Sequence, residues 1–457
     1  MTTSVTSVNP ADGKAIASYT VLEASGFDKV LQNSSEGFER WKTCTVRERA
    51  DFILRIAAVI ESGLHRYAAI ATAEMGKPIS QSVAELEKSA VSLRYYAAHA
   101  EAFLQPEMIP TSNRKSYVAY RPLGTVLAVM PWNFPYWQVF RVMGPVLLAG
   151  NAMLLKHASN VSGCALAIES ILKDAGLPKG VFRALIIWAE DTEYFIAHPA
   201  VQAVTFTGST ATGKKIAATA GRYIKKQVLE LGGSDAYIVC EDADLRLAAR
   251  ALAQSRMNNA GQSCIAAKRF IVHKAVEEEF IALLSEEMRQ YEMGDPAAPS
   301  CKLGPMARED LRNDLHRQVE ESVALGARMV MGGYIPDREG AYYPPTILAG
   351  VAKGMPAYSE EFFGPVAIVI SVASEEEAVR IANDTVFGLG GGIFSRDEER
   401  AFRIAELLVD AGTVNVNSCV VSEPALPFGG IKESGYGREL SRNGLIEFVN
   451  VKTIVAK

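Results

Sequence analysis

Three apolar runs, each too short for a helix, restrict this chain more than any other feature. They are GTVLAVM at 124–130, AMLLK at 152–156 and VQAVTFT at 201–207, and they carry little of the polar alternation of a half-exposed strand. Such runs are buried on both faces, which calls for a parallel sheet covered by helices. Helix-length stretches at 163–175 and 212–220 separate or follow them, as crossover connections require. A second alternating series starts near Gly233. It has a strand at 236–240, helices at 245–258 and 276–290, and strands at 270–272, 366–371 and 413–417. The pattern predicts two α/β domains joined near Gly232-Gly233.

The first hundred residues read as mainly helical. Thr45-Val-Arg-Glu48 has capping-box spacing, and apolar residues recur at Phe52, Ile53, Ile56, Val59, Ile60 and Leu64. Gly76-Lys-Pro78 is a stop signal, with a second helix expected over 83–103. Two strand-like segments, 116–120 and 449–455, fit neither domain. They can pair with each other or offer an edge to another subunit.

Composition excludes more than it identifies. Of 457 residues, 47 are Lys or Arg and 52 Asp or Glu, a formal charge of −5. That balance attracts neither nucleic acid nor anionic lipid, so no nucleic-acid or membrane partner is expected. The amino terminus has no basic n-region or apolar h-region, and the most apolar stretch, 143–155, is interrupted by Gly144, Pro145, Gly150 and Asn151. A secretory leader or membrane span of about 20 residues is therefore not expected. Six cysteines (Cys44, Cys164, Cys240, Cys264, Cys301, Cys419) form no CxxC pair. They read as reduced thiols of a cytoplasmic enzyme. The six His are dispersed and point to no metal site.

Several motifs sit where an α/β protein does chemistry. GSTATG at 208–213 follows a strand and opens a helix, a setting that suits an anion. It is one residue from a P-loop, with Gly213-Lys214 in place but Lys215 where a metal-binding hydroxyl belongs. A phosphotransferase reading thus meets an objection. A lone Cys is more often a small core residue than a nucleophile, but Cys264 closes the polar, Gly-containing turn NAGQSC at 259–264, a setting that raises the nucleophile reading. Glu230 ends a strand immediately before Gly232-Gly233. Asn133, in PWNFP at 131–135, follows a buried strand and falls at the carboxyl edge of the sheet, where α/β proteins bind ligands.

Taken in order, Asn133 in PWNFP, Lys156, the GST…G turn, ELGG, GQSC, EFFGP at 361–365 and PFGG at 427–430 with KESG at 432–435 resemble the aldehyde dehydrogenase superfamily. Within it the chain is most similar to the bacterial succinate-semialdehyde dehydrogenases. The resemblance implies a Rossmann-type cofactor domain (1–103 and 123–232) and an α/β catalytic domain (233–435). It also implies a small β element (104–122 and 436–457) that joins subunits into a homodimer or homotetramer. It implies that Cys264 attacks the aldehyde to form a thiohemiacetal. It further implies that Asn133 and the Cys264 N–H hold the oxyanion and that Glu230 activates water against the resulting thioester.

On the cofactor side the resemblance assigns Trp132, Lys156, Ser159, Gly208, Ser209, Gly232, Glu361 and Phe363. NAD-restricted relatives commonly carry Glu at the position of Ser159. Serine adds no charge against a 2′-phosphate, so NADP is expected to be preferred over NAD. His157, where many relatives have Pro, leaves the local backbone open. For the substrate, Arg141 would grip a distal carboxylate from a helix beginning near Trp137, beside Trp137 and Gln138, with Ser422 and Phe428 nearby. A structural salt bridge is the competing role for Arg141. A second arginine found in some relatives is Asn258 here, with Arg256 two residues out of register. The expected substrate is succinate semialdehyde, with glutarate semialdehyde or other small aldehydes as the broader alternative. Among rival activities, a CoA-acylating relative is the nearest, and the retained Glu230 favours water as the acceptor.

Overall fold

The structure is a computed structural model, and it describes residues 3–457. The three apolar runs form neighbouring strands Thr125–Met130, Ala152–His157 and Val201–Thr207 of a six-stranded sheet. Its order is Gly435–Tyr436, Lys226–Glu230, Val201–Thr207, Thr125–Met130, Ala152–His157 and Phe182–Leu185. Every pairing is parallel except the short Gly435–Tyr436 edge. All six residues of Thr125–Met130 are buried, which is why the run shows no alternation. Helices Ser162–Asp174 and Thr210–Arg222 lie where crossovers were expected.

The second series builds a seven-stranded sheet. Its order is Arg328–Met331, Thr346–Ala349, Val366–Val372, Arg269–His273, Ala236–Val239, Gly390–Phe394 and Thr413–Val416. Only Arg328–Met331 runs antiparallel. Helices Leu245–Met257 and Glu277–Arg289 pack on one apolar cluster with Tyr237, Phe270 and Val369.

The orphan strands find each other. Val449–Ala456 pairs antiparallel with Lys115–Pro122 over its whole length, and Glu107–Met108 adds a third strand. In the amino-terminal region Thr45 and Glu48 form the reciprocal capping box, and Gly76 closes its helix at φ +80°. There a further Cβ would meet Pro305 and Pro10 at under 3 Å. This region is mainly helical, and a hairpin that had no sequence signal, Ser4–Val8 against Ala15–Thr20, precedes the helices. Its strands, SVTSV and AIASYT, carry too few large apolar residues to register as a buried run. No helix among the described residues is long and apolar enough to cross a membrane.

Candidate active site

Four adjacent parallel strands deliver the sequence motifs to one edge. Lys226–Glu230 ends on Glu230, Val201–Thr207 runs into Gly208-Ser209, Thr125–Met130 into Trp132-Asn133, and Ala152–His157 contains Lys156 and leads to Ser159. Their carboxyl ends therefore share a crevice, the usual ligand position in an open α/β sheet. His157, buried, stitches this edge together. Its Nε2 lies 2.9 Å from Pro135 O, and its Nδ1 lies 3.0 Å from Ala158 N and 3.2 Å from Met130 O. Burial lowers its pKa to about 4, which keeps the ring neutral. The Pro-to-His departure thus ties the PWNFP loop to the neighbouring strand.

The turn that carries Cys264 is held in an unusual backbone conformation. After helix Leu245–Met257, three successive residues have positive φ: Asn259 (54°), Ala260 (51°) and Gly261 (73°). For Ala260 that conformation is strained, and it persists because its neighbours are locked. Asn259 Nδ2 donates to Asn133 O at 2.7 Å and to Gln262 O at 3.1 Å, and Gln262 Oε1 accepts from Ala307 N at 2.9 Å. Gly261 admits no side chain, since a Cβ would lie 2.1 Å from Gly364 O. Buried Lys268 donates to Ser263 O (3.0 Å) and Cys264 O (2.7 Å), bracing the turn from beneath. Asn133 Nδ2 donates one N–H to Gln262 O at 3.1 Å, within two residues of Cys264. The glycines after Glu230 permit this close assembly. A Cβ at Gly232 would sit 2.3 Å from Glu361 Oε2, and one at Gly233 would sit 3.0 Å from Cys264 O.

The electrostatics differ from those of a preformed thiolate. Burial pushes the Cys264 thiol up to about 12; Arg141 and Lys268 oppose the shift, whereas Glu230 and Glu361 add to it. The resting sulfur is a thiol. Glu230 is almost fully buried, and neither carboxylate oxygen has a hydrogen-bond partner. Burial first, and the Glu439 carboxylate next, hold its pKa well above the ordinary range, against the pull of Arg141 and Arg438. Such a perturbed, unpartnered carboxyl marks a place for chemistry.

A cavity of about 760 Å³ opens onto Cys264. All five expected substrate residues, Arg141, Trp137, Gln138, Ser422 and Phe428, line it; Asn133 and Glu230 do not. Arg141 comes from helix Trp137–Leu148, whose first N–H groups, of Tyr136 and Trp137, donate to Glu85 Oε1 at 2.7 and 2.8 Å. Glu85 is ion-paired with buried Lys77. Arg141 Nε pairs with Glu439, both side chains at most 2% exposed, and Nη2 has no partner. Arg141 therefore lines the cavity and at the same time forms the buried salt bridge that was its competing role. Asn258 lines the cavity too. Arg256 does not, since it donates to the carbonyls of Gly261 and Phe362. One cavity residue had no sequence signal: Lys88, of helix Ile79–Leu104, whose Nζ donates to Ser422 Oγ at 2.8 Å.

A sequence profile described as the aldehyde dehydrogenase family matches residues 1–454. The chain belongs to the aldehyde dehydrogenase family. It is 44% identical to a probable succinate-semialdehyde dehydrogenase (NADP+) of Synechocystis sp., over 98% of this chain and 99% of that one. It is also 44% identical to the succinate semialdehyde dehydrogenase (NAD(P)+) Sad of Escherichia coli, over 98% and 97%. Among solved structures, succinic semialdehyde dehydrogenase from Streptococcus pyogenes, in complex with NADP+, superposes with a TM-score of 0.96 at 37% identity. That match covers 98% of this chain and 99% of the other.

The sheet edge of this aldehyde dehydrogenase has the donors a dinucleotide needs. Asn160 Nδ2 and Thr207 Oγ1 are buried without partners. Lys156 is largely buried, which lowers its pKa, with Glu190 acting in the opposite sense. Ser159 and Ser209 are exposed, and Ser209 caps helix Thr210–Arg222, whose free N–H groups suit a phosphate. Glu361 Oε1 accepts from Gly233 N at 3.0 Å, and the rings of Trp132 and Phe363 meet edge to face at 5.8 Å. The P-loop alternative loses its lysine: Lys214 Nζ is engaged by Glu433 at 2.8 Å.

Proposed function

We propose that this enzyme oxidises succinate semialdehyde to succinate, preferring NADP and accepting NAD. The balance is aldehyde, water and NADP+ to carboxylate, NADPH and protons. Cys264 releases its proton to solvent as its sulfur bonds to the aldehyde carbon, giving a thiohemiacetal whose oxygen carries the negative charge. The second N–H of Asn133 and the Cys264 backbone N–H carry the developing oxyanion. When bound, the nicotinamide accepts the hydride that leaves this carbon. Glu230 takes a proton from water as it attacks the thioester and releases Cys264. Lys156, Ser159, Gly208, Ser209 and Gly232 would hold the phosphate and ribose groups of the bound cofactor, together with Glu361, Trp132 and Phe363. Serine at 159 places no carboxylate against a 2′-phosphate.

The observation that supports this reading best is one cavity that joins a braced cysteine turn to the cationic side chains of Arg141 and Lys88, in a chain 44% identical to relatives named for this substrate. Following NAD(P)H absorbance with succinate semialdehyde, glutarate semialdehyde and butanal, with and without CoA, tests it. The highest kcat/KM is expected for succinate semialdehyde with NADP and without CoA. An equal value for butanal would sink the acid substrate, and a tenfold preference for NAD would sink the cofactor assignment.

The same reading assigns 1–103 and 123–232 to the cofactor domain, 233–435 to the catalytic domain, and 104–122 with 436–457 to subunit joining. Exposed Val451 and Val455, paired with Tyr120 and Ser116 on one face of the three-stranded sheet, give that last element an apolar strip for a second copy. Light scattering should return a dimer or tetramer mass, and replacing Val451 and Val455 with Lys should lower it. A monomeric parent protein would remove the assignment.

A further inference from the structure

The acid end of the substrate needs a cation whose charge is not already balanced. Arg141 is poorly suited, because its Nε is paired with Glu439 in a site where both side chains are at most 2% exposed. Glu439 offsets part of its charge, so Arg141 offers the unpartnered Nη2 as a hydrogen-bond donor and a weaker attraction than an unpaired cation. Lys88 differs. It lines the same cavity as Cys264 and forms no ion pair among the described residues, the acids that act on its charge being Glu423 and Glu85. Its Nζ donates to Ser422 Oγ at 2.8 Å and rests 4.4 Å from the Trp137 ring centroid. Ser422 is itself buried. The other nearby acids are engaged or outlying: Glu85 is held by Lys77 and the Tyr136 and Trp137 N–H groups, and Glu423 is exposed.

We propose that Lys88 is the specificity-determining cation of this cavity, receiving the substrate carboxylate together with Ser422 while Arg141, already paired with Glu439, adds a hydrogen-bonding second contact. The inference rests on the acid-substrate reading above and goes beyond it, since neither the motif order nor the residues assigned by resemblance include Lys88. Two further facts agree with it. Burial and then the charge of Arg141 draw the Lys88 ammonium down to about 8, the state of a cation that lacks its counter-ion. An arriving carboxylate would supply that counter-ion to Lys88 and a partner to Arg141 Nη2 at once.

The test measures kcat/KM for succinate semialdehyde and butanal in wild type, Lys88→Met and Lys88→Arg. Wild type is expected to favour the acid. Lys88→Met should lower the acid value by about 10- to 100-fold, chiefly through KM, the range for losing one hydrogen bond to a charged group. Butanal should change far less, and Lys88→Arg should restore most of the acid preference. Butanal turnover also reports that the variant is folded. If wild type shows no acid preference, the substrate reading itself fails. If wild type prefers the acid and Lys88→Met keeps that preference, or loses both substrates equally, only the role of Lys88 is overturned.

Discussion

Cys264→Ala should abolish aldehyde-dependent NADPH formation, with turnover falling by on the order of 10⁴-fold or more, as when a nucleophile is removed from a concerted site. The fold should survive. What braces the turn is the Cys264 carbonyl, which accepts from Lys268, together with the Asn259 and Gln262 side chains. The sulfur contributes none of those bonds, so melting temperature should stay close to wild type. The resting thiol is also expected to be sluggish. With its pKa pushed up to about 12, the thiolate is scarce at neutral pH, and the thiolate is the reactive form. Alkylation of the Cys264 peptide by iodoacetamide, read by mass spectrometry, should be slow near pH 7 and accelerate steadily above pH 9. NADPH formation in Cys264→Ala within tenfold of wild type would refute the thiol mechanism.

The parts of the site legible in the sequence are those set by local chain geometry. Buried strands announce themselves as apolar runs, and the residues after them must emerge at the sheet edge, which is how Asn133, Lys156, Ser209 and Glu230 could be placed together. Gly261 likewise signalled a turn that only glycine completes. What stayed hidden depends on pairing across long stretches of chain. Glu85 and Lys88 look like ordinary charges of a solvated helix face, and Lys77 like a charge in the turn before it. Yet Lys77 and Glu85 form a buried pair, Glu85 caps a helix 51 residues onward, and Lys88 reaches Ser422, 334 residues away. Arg141 was legible as a cavity residue, but its Glu439 partner comes from the far end of the chain. His157 was an open departure until the fold supplied Pro135 O as its partner.

Glu230→Gln should separate the two halves of the reaction. The amide matches the carboxyl in shape, so the pocket beneath Gly429, where a Cβ would lie 2.8 Å from Glu230 Oε1, is preserved. The first equivalent of NADPH per site should still form rapidly, because hydride loss precedes hydrolysis. Steady-state turnover should then drop by about 10²- to 10⁴-fold, the usual range for losing a general base. The raised pKa of Glu230 gives this a pH signature. Only the carboxylate can take a proton from water, so wild-type kcat should climb as pH rises through that pKa, and the Gln variant should show no such climb. Stability should move with the opposite sign. A carboxyl whose pKa is higher folded than unfolded contributes stability at low pH that is lost as pH rises. Glu230→Gln removes that dependence, so its melting temperature relative to wild type should increase toward alkaline pH. If adding CoA as an alternative acceptor restores turnover to the variant, the missing step is water activation. Turnover within threefold of wild type, or loss of the first equivalent of NADPH, would place Glu230 outside that step.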